Sequence, residues 1–281
     1  MRYSLDLAVG NSARKARFGI QPIFCATFAA PLRILWLLAK TTYIELGDGE
    51  QIPILYEDRS VMALDKPPGW MLVPVSWQKT DRNLQAAILS SVAAKDFWAR
   101  SRNLKFLQNV HRLDAETTGI LLMVKSQGAL RPFTALFESR RMEKTYLVVV
   151  EGVPKKSEWV SKQPISPDPR QIGRMVVDSR EGKTAETHFQ LIETIGRISL
   201  LEAHPVTGRT HQIRVHAAAA GLPVVGDTIY GTAPFVKHAP PPLGLRSIAL
   251  EYENPFDGRK VVIRAPTSEF LTRFGFKAGV A

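Results

Sequence analysis

One cysteine, Cys25, stands in a chain of 281 residues. An internal disulfide and any multi-cysteine zinc site are therefore excluded, as are the paired cysteines of a zinc deaminase acting on nucleic acid. A reducing compartment, the cytoplasm, is the natural home. Acidic residues are also scarce: 26 Asp+Glu face 37 Lys+Arg, leaving a net charge of +11. A field of that sign draws polyanions, nucleic acid first among them. Phosphate-binding loops are missing too. "EGKTAET" ends like one, but Val177 stands where the earlier glycine is required. No Gly-x-Ser-x-Gly elbow and no Gly-x-Gly-x-x-Gly loop occurs, which removes the simplest hydrolase and dinucleotide readings. His211 and His216, five apart, would point about 140° away from each other on a helix and cannot easily share a metal.

The N-terminal run "FGIQPIFCATFAAPL" is shorter than the roughly 20 residues of a spanning helix, and Pro22 and Pro31 interrupt it. Residues 1–50 read as a packed or poorly ordered extension, with a secretory or Arg-rich transit leader as the alternative. No S4-type RNA-binding module is evident there. Residues 51–281 read as one catalytic domain, and with 45% hydrophobic and 22% charged residues disorder is not the global reading.

From Ile52 the pattern turns regular. Ile52 to Tyr56 and Val61 to Leu64 read as a hairpin closed by Pro67 and Pro68. Asn83 to Ala94 reads as a helix. "GILLMVKS" has the continuous apolar character of a strand buried on both faces. "ALRPFTALFESRR" places Leu130, Phe133, Leu136 and Phe137 at helical spacing, with Arg140 and Arg141 expected in the last turn. "KTYLVVVEG" is a further strand, and residues 153–180 read as a long surface excursion. "TAETHFQLIET" and "RISLLEAHP" pair across Gly196, and a helix follows with Thr210 as the expected N-cap and Gly221 at its end. "RSIALEYE" and "KVVIRAP" close the chain around Asp257-Gly258.

The chemistry concentrates in "HRLDAETTGILLMVKS", residues 111 to 126. Asp114 falls in a polar turn just before a buried strand, fixed in position yet reachable. Arg112 and Arg214 are cations suited to holding it ionised, and an ionised carboxylate is a nucleophile or base. An aspartate before Ala-Glu-Thr also serves as an ordinary turn residue, and spacing alone leaves both readings standing.

"HRLDAETTG" closely resembles the His-Arg-Leu-Asp-x-x-Thr-Ser-Gly motif of the RluA-type pseudouridine synthases. "VMALDKPPGWMLVP" is similar to that family's Asn/Asp-Lys-Pro-x-Gly segment, and "FESRRMEKTYLVVVEG" to its Phe-x-x-Arg-x-x-x-Lys-x-Tyr strand. "TGRTHQIRVHAAAAGLPVVGDTIYG" resembles a further family signature, and together the matches run in order from Ile52 to Pro266. The resemblance implies isomerisation of selected uridines in rRNA or tRNA, without cofactor or metal, by a protein that is a monomer. It implies an α+β fold, a long, mostly antiparallel mixed sheet in two halves flanking a basic cleft with Asp114 at its floor.

Carried over residue by residue, Asp114 matches the nucleophile, attacking at the sugar or the uracil ring. Tyr146 matches the tyrosine that stacks on the base and helps remove a proton, and Arg214 the arginine paired with the aspartate. Arg112 matches a residue that enters the space left by the flipped nucleotide. His111, Thr117 and Gly119 are expected to shape the active-site loop. Arg209, His211 and Gln212 are expected to brace the second motif or touch RNA, and Lys66 and Lys144 to meet phosphate. Thr118 departs from the usual serine, and Arg246 and Ser247 from a usual Leu-His-Ala segment. With no S4 module, target choice falls to the catalytic domain and loops such as 153–180. The rivals are a non-catalytic RNA-binding or ribosome-assembly protein on the same fold, and an enzyme that cleaves the nucleoside bond.

Overall fold

A computed structural model describes residues 40–72, 82–231 and 242–279. The N-terminal apolar run and Cys25 lie outside these residues. Apolar and β-branched content favours the strands β1 (Tyr43–Glu45), β2 (Gln51–Glu57), β3 (Val61–Lys66) and β5 (Thr118–Val124), while the two-residue β4 (Gln108–Asn109) is a strand by its pairing with β5. Between β3 and β4 lie α1 (Leu84–Ala94) and the short α2 (Phe97–Arg100). Asn83 caps α1 by accepting from Ala86 N at 3.0 Å. After β5 come α3 (Gln127–Glu138), β6 (Glu143–Glu151), β7 (Glu158–Ser161), β8 (Ile165–Pro167), β9 (Met175–Val177), β10 (Thr187–Ile195) and β11 (Ile198–Pro205). The chain closes with α4 (Gln212–Ala219), β12 (Leu245–Glu253), β13 (Lys260–Arg264) and α5 (Ser268–Arg273). No helix among the described residues is long and apolar enough to cross a membrane.

An eleven-stranded sheet runs β1-β2-β3-β5-β12-β6-β11-β10-β7, with β13 beside β12 and β4 beside β5. Every neighbouring pair is antiparallel except β5 and β12, which meet in parallel at Arg246↔Thr118 and Ser247↔Gly119. The mixed α+β sheet thus has two antiparallel halves joined at a short parallel seam. Strand β5 is buried on both faces: Leu121 and Met123 pack with Ile88 and Trp98, and Ile120, Leu122 and Val124 with Phe133 and Leu136. Its apolar side chains remove surface from water on either side, which rigidly seats the loop that precedes it.

Three local expectations are corrected. Helix α3 ends at Glu138, and Arg140 turns back in the left-handed region (φ 59), so the basic pair lies past the last turn. Thr210 does not cap α4; His211 occupies the N-cap with φ 55 and makes no side-chain cap bond. The excursion 153–180 contains β7, which joins the main sheet, and the separate β8–β9 pair. Arg246, which looked like a mere departure from pattern, donates from Nη2 to Asp65 Oδ2 at 2.7 Å and from Nε to Pro266 O at 3.0 Å. That ion pair ties β12 to β3 across the seam.

Gly119 is demanded by the seam. Its φ is +101°, and a Cβ there would lie 2.0 Å from Ser247 O. Gly119→Ala is expected to lower stability by about 3 kcal/mol or more. A urea midpoint equal to that of the unaltered chain would contradict this account of the seam.

Candidate active site

Asp114 sits in the turn that feeds β5, where Thr117 N donates to Asp114 O at 3.1 Å. Its side chain is 22% exposed, so it is both held and reachable. Arg214, on α4, donates from Nη1 to Asp114 Oδ2 at 3.0 Å. The same guanidinium grips Asp227 with two bonds, Nε to Oδ2 at 2.7 Å and Nη2 to Oδ1 at 2.8 Å. Asp227 is held in turn by the backbone N–H groups of Ile229 (2.9 Å) and Tyr230 (3.0 Å). Burial opposes the charge of Arg214, but the bonds of Asp227 and the charges of Asp114 and Asp227 outweigh it and hold its pKa above the usual arginine value. Burial likewise pushes Asp227 upward, and the Arg214 bonds overcome it, so its carboxyl stays below the usual range.

Two cavities meet at this ion pair. One of about 450 Å³ is lined by Asp114, Tyr146, Lys144, Arg140, Arg209 and Thr117, among others. A second, about 350 Å³, is also lined by Asp114, with Met71, Leu72, Ile172 and Arg174. Arg112, His211 and Arg214 border both. Tyr146, on β6, is 8% exposed, and burial raises its pKa to about 12, with the charge of Asp114 adding. Lys144 donates to Thr207 O at 3.2 Å, and burial lowers its pKa to about 8. Arg112 is exposed and donates from Nη2 to Thr210 Oγ1, so the structure brings it to the site without pairing it to Asp114. Arg209 is exposed, with Nε bonded to Thr184 O at 3.0 Å.

His211 stands beside Asp114, Nε2 3.9 Å from Oδ2, with Nδ1 2.9 Å from Tyr230 Oη. That hydroxyl also accepts from Met175 N at 2.8 Å, so Tyr230 links His211 to the β9 backbone. Burial lowers the His211 pKa, in keeping with a neutral ring. The Arg214 guanidinium lies 5.2 Å from the Tyr230 ring centroid. Asp227 and Tyr230 are the residues the sequence reading missed. Both lie in "GDTIYG", and the available signal was a single carboxylate after the apolar run "LPVV", since buried charges require partners.

Several expected contacts turn out to be internal supports. Lys66 is fully buried and donates to three carbonyls, Pro67 O (2.9 Å), Ala115 O (2.7 Å) and Thr117 O (3.0 Å). All three ammonium protons are used, so it clamps the Asp114 loop from behind and has none left for phosphate. Burial lowers its pKa to about 8, against the charges of Glu116 and Asp114. Gln212 is also saturated: Oε1 accepts from Thr207 Oγ1 (2.6 Å) and Arg209 N (3.0 Å), and Nε2 donates to Glu186 O and Thr187 Oγ1 (both 2.9 Å). Its side chain braces the loop. His111 accepts from Leu122 N at 2.9 Å through Nε2 and stacks on Phe137 at 4.6 Å, which makes it an anchor of the loop. Thr117 is 2% exposed, and its Oγ1 has no hydrogen-bond partner. No cluster of three or more His, Cys, Asp or Glu suited to a metal ion occurs among the described residues.

Replacing Lys66 by Met removes three hydrogen bonds, Ala115 O keeping only the one from Gly69 N (2.9 Å), and is expected to cost about 2–4 kcal/mol in denaturant unfolding; a neutral effect would mean the clamp contributes nothing. His111 gives a pH test. Burial, with Lys144 adding, holds its pKa down at about 3 against an ordinary 6.5. The unfolded chain therefore binds this proton first, and the stability present above pH 6.5 is lost as pH falls toward 3. Denaturant midpoints from about pH 7 to about pH 4 should fall less steeply for His111→Gln than for the unaltered chain.

Comparison with known proteins accords with this geometry. The model of the family described as RNA pseudouridylate synthase matches residues 60–219. "Ribosomal large subunit pseudouridine synthase C" of Yersinia pestis is 36% identical over 228 residues, covering 78% of this chain and 66% of that protein. Its counterpart in Escherichia coli (strain K12) is 35% identical over 232 residues, covering 78% and 68%. The chain thus spans about two thirds of the length of these relatives. In fold it resembles the solved "Human RNA Pseudouridylate Synthase Domain Containing 4", with a TM-score of 0.61 and 24% identity over 78% of this chain and 90% of that one. A family match across more than half of the sequence, with relatives above one-third identity along most of it, establishes that the chain belongs to the RNA pseudouridylate synthase family.

Proposed function

We propose that this chain isomerises uridine to pseudouridine in large-subunit ribosomal RNA, working as a cytoplasmic monomer, with Asp114 as the nucleophile. The observation that carries the reading is the Asp114 carboxylate, 3.0 Å from the buried Arg214 guanidinium, in a cavity it shares with Tyr146. The names of the bacterial relatives supply the RNA class.

The reaction breaks the bond from C1′ to N1 and forms one from C1′ to C5; the hydrogen on C5 leaves as a proton and N1 gains one. Atoms and electrons are conserved, so a nucleophile, a positioned base and proton traffic suffice. Asp114 adds to the nucleoside at the sugar or the uracil ring while Arg214 orients its carboxylate. Tyr146, kept protonated by its raised pKa, serves as a wall against the flipped base. Arg112, exposed at the rim, fills the vacated stack, where a planar cation both stacks and meets phosphate.

The test uses large-subunit rRNA transcript tritiated at uridine C5, since tritium reaches water only when C5 becomes the glycosidic carbon. Asp114→Asn keeps the side-chain shape and is expected to slow release by about a thousandfold or more, with RNA affinity within about threefold. Affinity for both proteins should fall steeply with added salt. Equal rates would sink the assignment of Asp114, and release of free uracil would indicate bond cleavage in place of isomerisation.

A further inference from the structure

At the tip of the β8–β9 pair Ile172 is 97% exposed. A single exposed isoleucine is ordinary on a protein surface. What sets this one apart is its place: it lines the second cavity together with Arg112, Asp114 and Arg214. The turn is built firmly. Asp168 N donates to Arg174 O (2.9 Å), Arg170 N to Asp168 Oδ1 (2.9 Å), and Arg174 N to Gln171 O (3.2 Å). Its base is anchored in the site itself, because Met175 N donates to Tyr230 Oη and the Arg174 guanidinium lies 5.7 Å from the Tyr230 ring. Beneath it Ile165 packs with Val215 of α4. Arg170 and Arg174 flank the apolar tip.

An apolar side chain on a rigid, cationic turn suits insertion between stacked bases, where it loses its contact with water while the arginines meet the backbone. Resting on the RNA reading above, we propose that Ile172 is a wedge. It packs against the base next to the flipped uridine and, from the cavity it shares with Arg112, holds the strand open. Its contribution is to paired or stacked RNA, since unstacking is the step it offsets.

The experiment compares Ile172→Ser and Ile172→Leu with the unaltered chain by tritium release from the folded rRNA transcript and from short, unpaired fragments of it. The expected result is a loss in kcat/KM of about tenfold for Ile172→Ser on the folded transcript, less than about twofold on fragments, and near-full activity for Ile172→Leu on both. An equal loss of Ile172→Ser on both RNAs, or no loss on the folded one, would overturn the wedge. If fragments support no turnover, the Ser against Leu contrast on the folded transcript decides alone. Inactivity of the unaltered chain on every RNA refutes the proposed activity instead. The wedge is then judged by retention of the folded transcript, which Ile172→Ser must weaken and Ile172→Leu must not.

Discussion

The site is organised by one buried guanidinium shared between two carboxylates. Arg214 at 5% exposure needs compensation that water does not provide, and Asp227 supplies it in two bonds. Asp227 is itself inaccessible and satisfied by two backbone N–H groups. The remaining nitrogen, Nη1, donates to Asp114. The geometry divides the labour of the two acids: one anchors the cation, and the other is positioned by it while remaining in contact with substrate space. An arginine whose other face was free would let Asp114 wander with it.

That pair is useful only because the backbone beneath it has nowhere to go. The loop carrying Asp114 runs into a strand buried on both faces, at the seam where the two antiparallel halves of the sheet touch. Gly119 lets β5 approach β12 there, and the Arg246–Asp65 pair ties β12 to β3 across β5. Lys66 then ties the loop's carbonyls from the interior. A fully buried ammonium is an expensive tie, but it has three protons pointing in fixed directions. One side chain therefore fixes three backbone groups around the turn.

Much of this was legible in the sequence, for physical reasons. The long strands and α1 follow from periodicity and capping, and the elements around Asp114 could be placed because a continuous apolar run has one stable use in a sheet. Arg112 and Arg214 both stood as partners for Asp114, and resemblance singled out Arg214, since it and Asp114 are a hundred positions apart and no local pattern joins them. Asp227, Tyr230 and the job of Arg246 were not legible, because each acts through a contact distant in sequence. Lys66 was misjudged, and Gln212 was left open between bracing and RNA contact, for a related reason: polar side chains are usually solvated, and only the fold reveals that these are enclosed and saturated. Short strands β7, β8 and β9 escaped because three or four residues carry too little periodicity to stand out from a loop.

Charge is distributed so that binding and chemistry draw on different cations. Arg214 is buried between two carboxylates, and Lys66 gives all three of its protons to carbonyls. The attraction implied by a net charge of +11 must then be exerted by cations that remain exposed, such as Arg112, Arg140 and Arg209 around the first cavity. Exposed charges are screened within about a Debye length of 8 Å at physiological salt, whereas buried pairs are screened far less. Ionic strength therefore acts on how RNA arrives and leaves the geometry at Asp114 largely untouched. The left-handed turn at Arg140 serves the same separation, carrying a cation out of the helix end and onto the cavity wall.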